Sequence, residues 1–178
     1  MKVRVIWSGR KPCFLGPVSP EPRTAVLLRG FRASGSVRVF PQGWCEEAAA
    51  FRPAAIAGSR EQLTALLKTP PPSVTHALIR LLRPGENLIS DVERDRFWRA
   101  FGVPLFEQMV DRSCRVIARE CDAHDGLHIA PEVEWESDEL SLDGYRLDES
   151  PCGCGRKTAR LRAVVEQELE KAAAAGTL

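Results

Sequence analysis

The chain reads as an α/β protein: a partly parallel sheet with flanking helices, followed by a β-rich part and a C-terminal helix. Three observations predict this. Strand-like and helix-like stretches alternate over residues 54–106, the pattern of parallel strands joined by helices. From Cys114 onward the pattern changes to short alternating strands. Within that stretch lie Cys121, His128, Cys152 and Cys154, four of the six cysteines and three histidines in the chain. At 178 residues a single domain, 1–178, is expected, with an α/β part at 1–110, a β-rich part at 111–160 and a helix at 161–178.

Residues 2–7 alternate and are β-branched, which predicts a strand; Pro12, Gly16, Pro17, Pro20 and Pro22 then make a loop. Residues 25–28 and 36–40 are two further strands on either side of a turn region, and 46–51 is a helix that stops before Pro53. A short buried strand follows at 54–57. Ser59 and Gln62 form a capping box for a helix reaching Lys68, and Pro70, Pro71 and Pro72 break the chain. Residues 74–82 are apolar enough for a central strand, which Pro84-Gly85 ends. Ser90 and Glu93 form a second capping box, with Val92, Phe97, Trp98 and Phe101 as the buried side and Gly102 as the stop. Residues 103–106, 115–120, 127–129 and 132–136 are strands. Asp143-Gly144 is a hairpin turn between 139–142 and 145–147. The last helix, 161–175, is rich in helix formers, although 159–165 could begin extended.

Acidic and basic side chains nearly cancel, 24 against 25, so no global charge draws nucleic acid or a membrane surface. Arg94, Arg96 and Arg99 are expected on a solvated helix face. The first residues lack the apolar stretch of a signal peptide, and no segment approaches a membrane span, so a cytoplasmic protein is expected. There thiols stay reduced, and clustered cysteines bind metal more often than they pair. Cys13, Cys45 and Cys114 stand alone among apolar neighbours and read as small buried hydrophobes.

Cys121, His128 and the Cys152-Gly153-Cys154-Gly155 turn suit a tetrahedral zinc ion. Gly153 and Gly155 let the turn fold back so that both sulfurs face one point. A structural zinc tying two distant hairpins together is the leading expectation, with disulfides the alternative in an exported chain. His128 follows Gly126 in a short extended run that could aim its ring at the turn. His124 is the second choice of ligand, or a group supporting the ligands.

Residues 51–162 resemble part of an adenylate-forming enzyme of the phenylacetate–CoA ligase type. Four passages carry the likeness: Phe51 to Leu66; Arg83-Pro84-Gly85-Glu86 through Gly102-Val103-Pro104-Leu105-Phe106-Glu107; Glu120-Cys121 through Gly126-Leu127-His128-Ile129; and Pro151-Cys152-Gly153-Cys154-Gly155-Arg156. Members with the last two carry zinc, so the resemblance implies Cys121, His128, Cys152 and Cys154 as its ligands.

Departures from that family bear on function. Adenylation needs a Ser/Thr/Gly-rich loop for the ATP phosphates, and 32–36 is short and lacks threonine. The aromatic-Gly-x-Thr/Ser-Glu motif is replaced by Glu107-Gln108-Met109-Val110-Asp111-Arg112. The Gly-Arg-x-Asp-Asp hinge and the lid with its catalytic lysine are also missing. The expectation is therefore a non-catalytic zinc-binding module with no nucleotide site and no catalytic residues. It would act as a scaffold or as the binding partner of another protein, such as a ligase; its oligomeric state is open. The alternative is an AMP-forming acid–CoA ligase with an altered or partner-completed site. That reading would call on Glu86, Glu107, Asp111 or His76, with Glu86 otherwise solvated and His76 a core histidine. A nucleic-acid-binding zinc protein would need a basic face with interleaved aromatics, which the sequence lacks.

Overall fold

The structure, a computed structural model, describes residues 12–14, 16, 20–131 and 144–164. Its elements are β1 (Thr24–Val26), β2 (Val37–Val39), α1 (Glu46–Ala50), β3 (Ala55–Gly58), α2 (Arg60–Leu66), β4 (Ala77–Leu82), α3 (Asp91–Phe101), β5 (Leu105–Val110), β6 (Val116–Glu120), β7 (Leu127–Ile129), β8 (Tyr145–Asp148) and β9 (Arg160–Ala163). Among the described residues the strands form one nine-stranded sheet in the order β2-β1-β3-β4-β5-β6-β7-β9-β8. The pairings from β2 to β5 are parallel and those from β5 to β8 antiparallel. The β-rich part therefore continues the α/β sheet from the edge of β5.

Local chemistry sets the helix starts. Ser59 Oγ accepts from Gln62 N and Ser90 Oγ from Glu93 N, and the Gln62 and Glu93 side chains accept from the Ser59 and Ser90 backbone N–H in return, so both capping boxes are complete. Gly102 ends α3 at φ 66, its N–H donating to Trp98 O at 2.8 Å. α2 and α3 cover one face of the parallel strands, where Leu63, Leu66 and Phe97 meet Ile56, Leu78 and Leu105. The opposite face buries Ala55, Ala57, Ala77, Ile79, Leu81 and Phe106 beneath Phe14 and Phe31. With both faces covered, β3, β4 and β5 are buried throughout, as central parallel strands are. A third cluster, including Met109, Ile117, Leu127, Ile129 and Leu161, is the core of the antiparallel half. No helix among the described residues is long and apolar enough to cross a membrane.

Five expectations need correcting. Residues 160–163 are a strand and not the start of a helix, because β9 pairs with both β7 and β8 and buries Leu161 between them. The rest of the expected C-terminal helix lies outside the described residues, as do strands 2–7, 132–136 and 139–142. His76 is exposed and precedes β4, which begins at Ala77, so it is not a core histidine. On α3, Val92 is 80% and Trp98 56% exposed. Phe97 and Phe101, one turn apart, carry the packing, and Val92 and Trp98 point away from that stripe. Arg94 lies three residues before Phe97 on the same side, and it is drawn inward instead of being solvated; Arg96 and Arg99 are exposed. Cys114 is buried as expected, whereas Cys13 and Cys45 are half-buried.

Candidate metal centre

Two hairpins supply the cluster. β6 and β7 pair in antiparallel register, Glu120 opposite Leu127, so Cys121 opens the connecting loop and His128 follows it on β7. β8 and β9 form the second hairpin, and the Cys152–Cys154 turn lies between them. Because β7 pairs with β9, the two hairpins are neighbours in the sheet. Gly155, at φ 81, closes the turn with its N–H donating to Cys152 O at 2.9 Å. Gly153 does not use the left-handed region, so only Gly155 has the conformational role expected of both.

Cys121, His128, Cys152 and Cys154 bring one ligand atom each to within 4.8 Å of one another, close enough to bind a metal ion. Cys121 Sγ lies 3.7 Å from Cys152 Sγ, and Cys154 Sγ lies 3.4 Å from His128 Nε2. A tetrahedron with metal–sulfur bonds of about 2.3 Å has edges of about 3.8 Å, close to these two separations. All six cysteines are free thiols, so the pairing alternative is not realised here. His128 Nε2 faces the sulfurs because Nδ1 is engaged by Thr158 Oγ1 at 2.8 Å and Thr158 O at 3.2 Å, the support that fixes a ligating imidazole. Burial holds the His128 pKa below its ordinary value, which keeps the ring neutral. Burial also pushes the Cys121 thiol up to about 11, whereas the backbone N–H of Cys154 lowers that of Cys152.

His124 turns away from the cluster. At φ 49 its N–H closes a turn onto Cys121 O at 2.9 Å. Its ring stacks on Phe106, centroids 5.2 Å apart, with Nδ1 3.1 Å from Glu120 Oε1. Of the two histidines, only His128 joins the sulfurs.

Beside the cluster a buried charge network crosses from the parallel to the antiparallel half. Arg80 Nη1 donates to Glu107 Oε1 and to Asn87 O, both at 2.7 Å, and Arg80 Nη2 reaches Glu86 Oε2 at 3.1 Å. Glu107 also accepts from Ile89 N at 3.1 Å, and Glu107 N donates to Glu120 Oε2 at 2.8 Å. Arg94 Nη2 completes the link to Glu120 Oε1 at 3.0 Å. Burial raises the Glu107 pKa despite the Arg80 charge.

The four residues considered for catalysis do not converge. Glu86 and Glu107 share Arg80. Asp111 closes the β5–β6 turn by accepting from Ser113 N at 2.7 Å and Arg115 N at 2.9 Å. His76 precedes β4 and Asp111 follows β5, so in parallel strands they stand at opposite ends. Sequence reading missed Thr158 and the charged residues around the ligands. Their one sequence signal is polarity on short strands beside cysteines, and it does not name partners.

The arrangement of sheet and helices is similar to part of the fold of an acyl-CoA ligase. A solved structure of 2-hydroxyisobutyryl-CoA ligase, in an open conformation with 2-HIB-AMP and CoA, matches at a TM-score of 0.56 and 16% identity, over 81% of this chain and 44% of that one. The chain thus spans less than half the length of that ligase, and the likeness is one of fold. No known family profile matches the chain, nor does any curated protein.

Proposed function

We propose that the chain is a zinc-binding module built on the acyl-CoA ligase fold, in which the metal is architectural and the module serves as a scaffold or partner-binding protein. One observation carries this: four soft protein donors, three sulfurs and an imidazole, converge on one point. Three cysteines and a histidine favour zinc and fill its tetrahedron, whereas a catalytic zinc keeps a position open for water or substrate. When bound, the ion supplies a cross-link between the two hairpins. Cys121, Cys152 and Cys154 supply the charge, and Thr158 orients His128.

The position of the site points the same way. β6 runs antiparallel to β5, with Arg119 opposite Gln108, so Cys121 lies toward the amino end of β5. Open α/β sheets bind their ligands at the carboxyl ends of parallel strands. At the carboxyl end of β5 the chain has Val110-Asp111-Arg112, and Asp111 is occupied in its turn. The alternative, an AMP-forming acid–CoA ligase with an altered or partner-completed site, draws on the fold likeness to the CoA ligase. ATP–pyrophosphate exchange with a panel of carboxylic acids separates the two. No exchange above background is expected, and acid-dependent exchange by the purified chain would establish the enzyme. A candidate ligase partner can be tested in the same assay by adding it to the full chain.

The hairpin geometry makes a separate prediction. Gly126 has φ 85, and a Cβ there would sit 2.7 Å from Leu161 O. Gly126→Ala is expected to cost more than about 1 kcal/mol in urea unfolding, since both the backbone conformation and the contact oppose it. An unchanged midpoint would mean that the loop does not lie against β9.

A further inference from the structure

Beside the cluster lies a fully enclosed arginine that the metal reading does not use. Arg160, on β9, is in register with His128 on one side and Asp148 on the other, and it is 1% exposed. Its Nη1 donates to Asp125 O at 2.9 Å and Asp125 Oδ2 at 2.5 Å. Its Nη2 reaches Asp148 Oδ2 at 3.0 Å, Ser150 Oγ at 3.0 Å and Ser150 O at 3.3 Å. Asp125 lies in the loop between Cys121 and His128; Asp148 and Ser150 lead directly into Cys152 and Cys154. One side chain therefore grips both ligand-bearing segments. Arg162, two residues on, doubles the grip, with Nη2 2.8 Å from Asp125 Oδ1 and Nη1 3.2 Å from Asp148 Oδ2.

We propose that Arg160 is the positioning residue of the metal centre, holding the 121–128 loop and the 148–154 segment at the spacing the ion requires before the ion arrives. This rests on the zinc reading above. The geometry suits a guanidinium and not an ammonium, because two separate nitrogens each take one segment in a fixed plane. Asp125 and Asp148 answer the charges of Arg160 and Arg162, so the clamp itself is balanced.

The test measures zinc affinity of the full chain at pH 7 by competition with a chromogenic chelator. Arg160→Met is expected to weaken zinc about 10–100-fold, the range found for residues that orient metal ligands, and Arg160→Lys nearly as far. Arg99→Met, on the exposed face of α3, should bind as the parent does. Leu161→Ala thins the adjacent core without touching either clamped side chain, so it measures how far destabilisation alone lowers affinity. Both Arg160 variants should exceed it. Cobalt-loaded variants should keep the tetrahedral absorption of the parent, since every ligand is still present. If Arg160→Met does not fold, Arg160→Lys and Asp125→Asn carry the test, and their losses together should be less than the sum, because both act on the Arg160–Asp125 contact. Affinities equal to the parent, or no lower than that of Leu161→Ala, overturn the proposal while leaving the zinc reading intact. A parent chain that takes up no zinc overturns both.

Discussion

Cys152→Ser is expected to abolish zinc uptake and to unfold the antiparallel half of the sheet, at a cost of about 4 kcal/mol or more, the scale associated with losing a structural metal. Cys121 and Cys152 are buried with their sulfurs 3.7 Å apart, and β6–β7 meets β8–β9 through the short pairing of Leu127 and His128 with Leu161 and Arg160 together with the Arg160 and Arg162 contacts to Asp125. Two paired positions are a short seam, so much of the cohesion between the hairpins is expected to come from the metal. Hydrogen exchange should show the amides of β7 and β9 losing protection on chelation, while those of β3 and β4 keep it. Acid should have a similar effect, because protons compete with the metal for the thiolates and for His128. Metal analysis of the purified protein should find one zinc per chain, falling to near zero in the variant. Unaltered melting after complete chelation would remove the architectural role.

Arg80→Met should destabilise the fold by about 3–5 kcal/mol, the cost of stripping one partner from a buried ion pair. Arg80 and Glu107 are both almost wholly enclosed, and Arg80 also reaches Glu86 and Asn87 O. The pH dependence has a definite sign. Burial raises the folded-state pKa of Glu107 above its unfolded value, so its ionisation opposes folding as pH rises through the raised value. Without Arg80 that pKa rises further. The penalty of Arg80→Met should therefore shrink as pH is lowered from neutrality through the raised value, because Glu107 then takes a proton. Adding Glu107→Gln should recover part of the loss at pH 7 and flatten the pH profile. A penalty below about 1 kcal/mol at every pH would show that the pair is screened by solvent.

Much of the scaffold was legible because its causes are local. Ser59 with Gln62 and Ser90 with Glu93 announce helix starts within four residues, and Gly102 marks a stop by its own backbone freedom. The apolar stretch that became β4, interrupted only by Arg80, could be read as a buried strand for the same reason. Signals that depend on a distant partner were misread. Arg94 looked like a solvated charge, but its partner Glu120 lies 26 residues away on another strand. Residues 161 onward are rich in helix formers, with an extended start over 159–165 as the alternative, and pairing on both edges decides for the strand. Val92 and Trp98 were counted as buried because apolar residues suggest a core, while helix phase places them outside.

By itself, the sequence determined which side chains can hold a metal, since cysteine and histidine chemistry does not depend on the fold, and where the helices of the parallel half begin. The sequence already favoured His128 over His124, and the tertiary structure supplied the reason. The β7 register and the Thr158 contact aim one ring at the sulfurs, while Glu120 and Phe106 hold the other away. It also brought Arg160 to the two ligand-bearing segments, because a guanidinium's partners are set by which strands lie side by side, and strand neighbours far apart in the chain leave no mark on local pattern.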